Sequence, residues 1–395
     1  MKKLSLFFFG MIVMTVSSCS KNDSDTNYSK IDSYPNVSNT FSGKIDLNKL
    51  FNYQNQSVPS YITKDNTSGN SITDKGATLG RVLFYDKNLS ANNTISCSSC
   101  HKQANAFGDD AVASIGINGT TTRHSMRLVN SRFSNENKFF WDERATSLEN
   151  QTTQPIQNHI EMGFSGTNGD ANITSLLSKL QNIGYYKELF RFVYGSEEIT
   201  ETKIQMALAQ FIRSIQSFDS KFDIGRASAA NNNQNFNNFT AQENQGKNLF
   251  LTPPVFDTTG NRISGGLGCA ACHAAPEFDI DPNSRNNGII GVLNATGIDV
   301  TNTKAPSLRD LLNQRGEPNG PMMHTGNLAT LQNVIGHYGT INIAPGNTNL
   351  DPRLRPNGFG QQLHLTATEV NALIAFIKTL TGTAVYTDPK WSSPF

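Results

Sequence analysis

Cys97-Ser98-Ser99-Cys100-His101 is the stretch around which this chain must be built. Two thiols three positions apart fall on one side of a helical turn, so they can bond both vinyl groups of one porphyrin while the adjoining imidazole reaches its iron; the pattern is that of covalent c-type haem attachment. It recurs as Cys269-Ala270-Ala271-Cys272-His273 and so uses every cysteine except Cys19. A structural zinc site would want four ligands with their own spacing, and a thiol/disulfide switch has no use for the following histidine. The pentads therefore predict two covalently bound haem c groups, with His101 and His273 as iron ligands.

Outward from each pentad the text repeats. Leu79-Gly80-Arg81-Val82-Leu83-Phe84 precedes the first, and Gly246-Lys247-Asn248-Leu249-Phe250 the second, both reading G-[RK]-x-L-F before a polar loop. Helical spacing is clear in Ile173, Leu176, Leu177 and Leu180, and again in Ile204, Leu208, Phe211, Ile212 and Ile215. Thr366 and Glu369 form a capping box ahead of Val370, Leu373, Ile374, Ile377 and Leu380. Strand-like alternation is sparse. The expectation is a mainly α protein of two tandem cytochrome c-like haem domains with long loops, residues 43–235 and 236–395, with the Asn-rich run Asn231 to Asn238 as a linker.

The 395 residues suffice for two ordinary cores, and a formal charge of +1 gives no case for nucleic acid as a partner. Residues 1–19 differ in kind. Lys2 and Lys3 precede an apolar run from Leu4 to Val16 of the length of a secretory leader, ending in Val16-Ser17-Ser18-Cys19, which resembles a lipobox. The expectation is a lipid anchor on Cys19, a polar tether over 20–42, and a location in the periplasm or cell envelope.

Residues 139–164 read FFWDERATSLENQTTQPIQNHIEMGF. With the two pentads, this stretch resembles the bacterial dihaem cytochrome c peroxidase family, MauG-like members included, from about Leu79 to the C-terminus. The resemblance implies an enzyme that reduces hydrogen peroxide with electrons from a small c-type cytochrome or other redox protein. It makes Trp141 the residue between the haems, Gln151 the pocket amide and Glu161 the pocket carboxylate. The residue types agree: splitting a peroxide requires one oxygen to lose a proton and the other to gain one, which a single carboxylate can do. His159 is expected at the surface or in a supporting role.

Two departures matter. Where many of these peroxidases carry a histidine that ligates the first haem, this chain has Ile117, in Ser114-Ile115-Gly116-Ile117, so that haem should keep an open face without prior activation; His124 is the candidate substitute. Where they carry a methionine for the second haem, fourteen residues after His324, stands Tyr338, as in MauG-like members. Leu331, Val334, Ile335 and Tyr338 share one helical face, which favours Tyr338 over His337, with Met322 and Met323 as further candidates. His324 is expected to support or to contact a propionate. The resemblance also implies an inter-domain calcium, for which His124, Asn319 and Pro321 are the positions. The competing readings are MauG-like oxidation of a protein or small molecule, and a non-catalytic electron-transfer cytochrome.

Overall fold

The helices that carry the repeated G-[RK]-x-L-F text set the architecture. In the computed structural model, which describes residues 33–134, 138–280 and 284–395, the chain is mainly helical. The order is α1 (Pro35–Phe41), α2 (Asp74–Tyr85), α3 (Cys97–Cys100), a hairpin of β1 (Ile115–Gly116) and β2 (Gly119–Thr120), then α4 (Leu148–Thr152), α5 (Ile173–Gln181), α6 (Gly184–Tyr194), α7 (Glu201–Ser214), α8 (Lys221–Ala227) and α9 (Ala241–Leu251). Two further antiparallel pairs follow, β3 (Pro254–Phe256) with β4 (Arg262–Gly265) and β5 (His273–Ala274) with β6 (Asp279–Ile280), before α10 (Leu331–Gly339) and α11 (Ala367–Lys378). The expected helices are present as α5, α7, α10 and α11, the last started by the Thr366 hydroxyl accepting from the Glu369 amide.

The repeat extends to the partner helices. α2 lies on α7 with Gly80 against the Ala207 carbonyl, and α9 lies on α11 with Gly246 against the Ala372 carbonyl. In each pair a phenylalanine four residues after the glycine meets one four residues after the alanine: Phe84–Phe211 at 5.2 Å and Phe250–Phe376 at 5.3 Å between ring centroids. Backbones this close leave no room for a side chain, so Gly80→Val or Gly246→Val should cost about 3 kcal/mol or more, because a carbonyl in a packed helix cannot retreat. Gly336→Ala, at a helical position with nothing within 4 Å, should be neutral or stabilising. Thermal melts of the haem-loaded variants would separate the two classes.

Residues 35–395 form one compact body, and the expected division at 235/236 is crossed at both ends. Phe222 of α8 belongs to the second core with Phe236, Phe250, Phe278 and Phe376, and its amide donates to the Thr379 carbonyl. The C-terminal tail returns to the first half. The Trp391 indole donates to Ser214 Oγ, Tyr85 and Tyr53 donate to the Trp391 and Lys390 carbonyls, and Phe395 stacks edge-on against Phe41. The sequence gives no hint of this because the tail carries no periodicity.

The tether expected over 20–42 also gives way at Pro35, where α1 begins and buries Val37 and Phe41. The expected leader, Cys19 and the rest of the tether lie outside the described residues. The Asn-rich stretch is firmly held for a linker. Lys247 donates to the carbonyls of Asn232 and Gln234, and the Asn244 side chain bonds both backbone groups of buried Phe236. Among the described residues, no helix is long and apolar enough to cross a membrane.

Candidate active site: two cavities joined by a tryptophan

Each pentad opens onto its own cavity. α3 is a single turn, closed at its start by the Ser96 and Ser99 side chains and at its end by His101, whose amide donates to the Cys97 carbonyl. His101 Nδ1 lies 3.1 Å from the Phe107 carbonyl, which orients the ring on the wall of the first cavity. The second pentad folds as a tight 3-10 turn over Cys269–Ala271, with His273 opening β5. Burial pushes the Cys97 and Cys269 thiols up to about 12 and the His273 imidazole down to about 4.

The cavity at Cys97, Cys100 and His101 measures about 230 Å³, and that at Cys269, Cys272 and His273 about 620 Å³. Four unbridged cysteines, two neutral imidazoles and mostly apolar walls are the donor set a thioether-bound haem requires. His273 lines the second cavity with its Nδ1 buried. The residues present therefore fit one haem in each cavity.

The first cavity gathers the expected pocket residues. Gln151, on α4, and Glu161 both line it. The turn that carries Glu161 is built on Asn158, whose side-chain oxygen accepts from the amides of Ile160 and Glu161 and whose carbonyl accepts from Met162 and Gly163. Burial holds the Glu161 carboxyl above the usual carboxylate range, opposed by the Arg144 guanidinium. His159 is turned outward and pairs with Asp170 at 2.9 Å.

The β1–β2 hairpin is clipped onto the Glu161 turn: the Ile117 amide donates to the Glu161 carbonyl and the Asn118 amide to the Ile160 carbonyl, both at 3.1 Å. The end of the Ile117 side chain abuts Gly163 rather than lining the cavity. His124, the candidate substitute ligand, does line both cavities, but its Nδ1 is 2.9 Å from the Ala111 carbonyl and its Nε2 lies beside Gly320. This brings His124 to the expected calcium positions, yet the Asn319 amide donates to the Asp310 carbonyl and the Tyr386 hydroxyl. Among the described residues, no three His, Cys, Asp or Glu side chains converge on a metal position.

Trp141 stands in the wall common to both cavities, 9 % exposed. Its indole donates to the His124 carbonyl at 2.7 Å, its carbonyl accepts from Lys304, and its ring centroid is 6.2 Å from that of His324. His324 is buried with Nε2 3.2 Å from the Gly291 carbonyl and lines neither cavity.

On the second cavity, Tyr338 faces inward from α10 beside Met322 and Met323, while His337 bonds the Asn287 carbonyl at 2.9 Å and lies outside the lining. Burial, then the neighbouring Cys272 thiol, raise the Tyr338 phenol well above its ordinary value; a hydrogen bond with Asn287 opposes them. Sequence reasoning missed Arg144, Asn158, Asn287, Arg127 and Lys304. Arg144 and Asn158 lie in the quoted 139–164 stretch but drew no role there, and single Asn, Arg and Lys residues such as Asn287, Arg127 and Lys304 carry no signal until the fold assembles them.

The comparisons agree with this geometry. The pattern of the di-haem cytochrome c peroxidase family matches residues 74–231. The chain is 30% identical over 325 residues to a methylamine utilization protein MauG of Methylophilus methylotrophus, covering 80% of this chain and 85% of the relative. It is 29% identical to a cytochrome c551 peroxidase of Nitrosomonas europaea, covering 78% and 80% respectively. Among solved structures it superposes on a MauG-like protein associated with microbial copper homeostasis, with a TM-score of 0.66, 29% identity, and coverage of 86% of this chain and 99% of that one.

Proposed function

This chain belongs to the di-haem cytochrome c peroxidase family and is an oxidoreductase of that kind, and from this premise we propose that it reduces hydrogen peroxide in the cavity of His101. The electrons come from a small redox protein by way of the His273 cavity. The bound haems supply the redox chemistry, which in sum takes one peroxide, two electrons and two protons to two waters. Glu161 takes a proton from one peroxide oxygen and returns it to the other, for which its burial-raised carboxyl is suited. Gln151 orients the peroxide by hydrogen bonding. Trp141 carries charge between the cavities it separates.

The observation that carries this reading is the joint presence of Glu161 and Gln151 in the wall that also holds Cys97, Cys100 and His101. A pure electron-transfer cytochrome would have no use for a carboxyl of raised pKa on that wall. The ferric spectrum tests the point: one high-spin and one low-spin haem are expected, and two low-spin haems would reduce the protein to an electron carrier.

A second reading is peroxide-driven oxidation of a protein or small molecule, as in MauG-like relatives. Tyr338 on the cavity wall favours it, since a phenolate ligand stabilises ferric iron and would accept electrons poorly from a high-potential donor. Stopped-flow mixing of ferric protein with peroxide distinguishes the two. Prompt bleaching of both haems favours the second reading, and turnover only after reduction by a small cytochrome favours the first.

The same proposal has the chain exported and anchored through Cys19, as Lys2, Lys3 and the apolar run to Val16 suggest. It also has two haem domains descended from one unit. The repeated helix pairs and the end of the family match at residue 231 support this, with the tail from Val385 onward lent back to the first domain.

A further inference from the structure

Arg127 is a half-buried cation to which the peroxide chemistry gives no task. It lines both cavities, a position it shares with Trp141, His124, Lys304 and few others. Its stem is held against Gly108, where a Cβ would meet Arg127 Cγ. Of its guanidinium, Nη2 donates to the Ser307 carbonyl at 2.9 Å, and Nε is buried with no partner.

Among the described residues no carboxylate pairs with it. Asp310 is the opposing charge that acts on it, but that carboxylate accepts from the Gly382 amide and the Tyr386 hydroxyl and lies beyond ion-pair distance. The other arginines of the first cavity are engaged: Arg123 with Asp142 and Asp299, Arg144 with Asp142. Lys304 donates to the Lys138 carbonyl.

A guanidinium taken out of water without a counter-anion is costly, so an anion belongs beside it in the loaded protein. Burial bears this out, pushing the guanidinium down to about 10. The carboxylates on the porphyrin edge are anions that arrive in both cavities at once, and a planar five-donor fork suits two of them. We propose that Arg127 is a shared carboxylate-binding residue that holds a propionate of each haem and ties the potentials of the two together. It is a positioning residue. The inference rests on the two-haem assignment and not on the peroxide chemistry, so either can fail alone.

A cation at a haem edge favours the added electron, so its removal lowers the midpoint potential. The test is a spectroelectrochemical titration of the full chain carrying both covalent haems, as wild type, Arg127→Gln and Arg127→Lys. In Arg127→Gln both midpoints should fall while haem content and spin states stay as in the wild type, and Arg127→Lys should return both towards the wild-type values. A purely structural role would not move both potentials in one direction with the spin states unchanged. If either midpoint stays at the wild-type value in Arg127→Gln, the proposal is overturned. Should that variant not accumulate, the propionate bending bands in resonance Raman spectra of Arg127→Lys decide: shifts for both haems support the shared site, and an unshifted band for either excludes it. Peroxide consumption by the wild type, measured on the same sample, reports separately on the preceding reading.

Discussion

Glu161→Gln is expected to slow peroxide-driven oxidation about 10²–10⁴-fold, the range for losing a positioned proton carrier. The amide keeps the size of the side chain and can still hydrogen-bond peroxide, so the loss isolates the proton. The pH profile carries the sign. Glu161 must be ionised to accept the first proton, and burial holds its pKa above the ordinary carboxylate value. The wild-type rate should therefore climb with pH through a pKa above that value, and the Gln variant should be flat across the same window. Stopped-flow rates over a pH series measure both, and unchanged turnover in Glu161→Gln would remove the carboxylate from the reaction.

The second large effect is at the other cavity. Tyr338→Met should raise the midpoint potential of the His273 haem by on the order of 0.1 V or more, within the roughly 0.8 V that axial ligands span. A thioether favours the reduced iron, whereas a phenolate favours the oxidised one. His337→Ala should leave that potential nearly in place, because its ring is bonded to the Asn287 carbonyl and lies off the cavity wall. Redox titration of the two variants decides between the neighbours. A shift in His337→Ala alone would move the ligand by one residue.

Much of the fold was legible because it repeats. Two pentads and two G-[RK]-x-L-F segments announced two related helical units, and the structure adds that both glycines lie against a carbonyl of a partner helix. The partner half of each pair, Ala207 with Phe211 and Ala372 with Phe376, was readable only as an apolar stripe, since one sequence does not say which helix faces which. The tail was invisible because no periodic neighbours announce the burial of Trp391 or the contact of Phe395 with Phe41.

In the site, periodicity separated Tyr338 from His337, since residues one apart on a helix point about 100° from each other. Trp141, Gln151 and Glu161 were reached through resemblance, and the structure gathers them by way of loops whose local rules are weak. Asn158 shows why: one side chain bonding two amides sets the Glu161 turn, and nothing in its sequence neighbourhood marks it.

The clip between the β1–β2 hairpin and the Glu161 turn makes the two segments hard to alter separately. A lone Ile117→His change would not deliver an imidazole to the first cavity, because the new ring would be parked against Gly163 until two backbone bonds had been unzipped. Unzipping them would also unseat the acid on the same turn. Placing an imidazole in the first cavity would require both segments to be remodelled together, so variants carrying only half the change should gain no ligand and lose the acid's position.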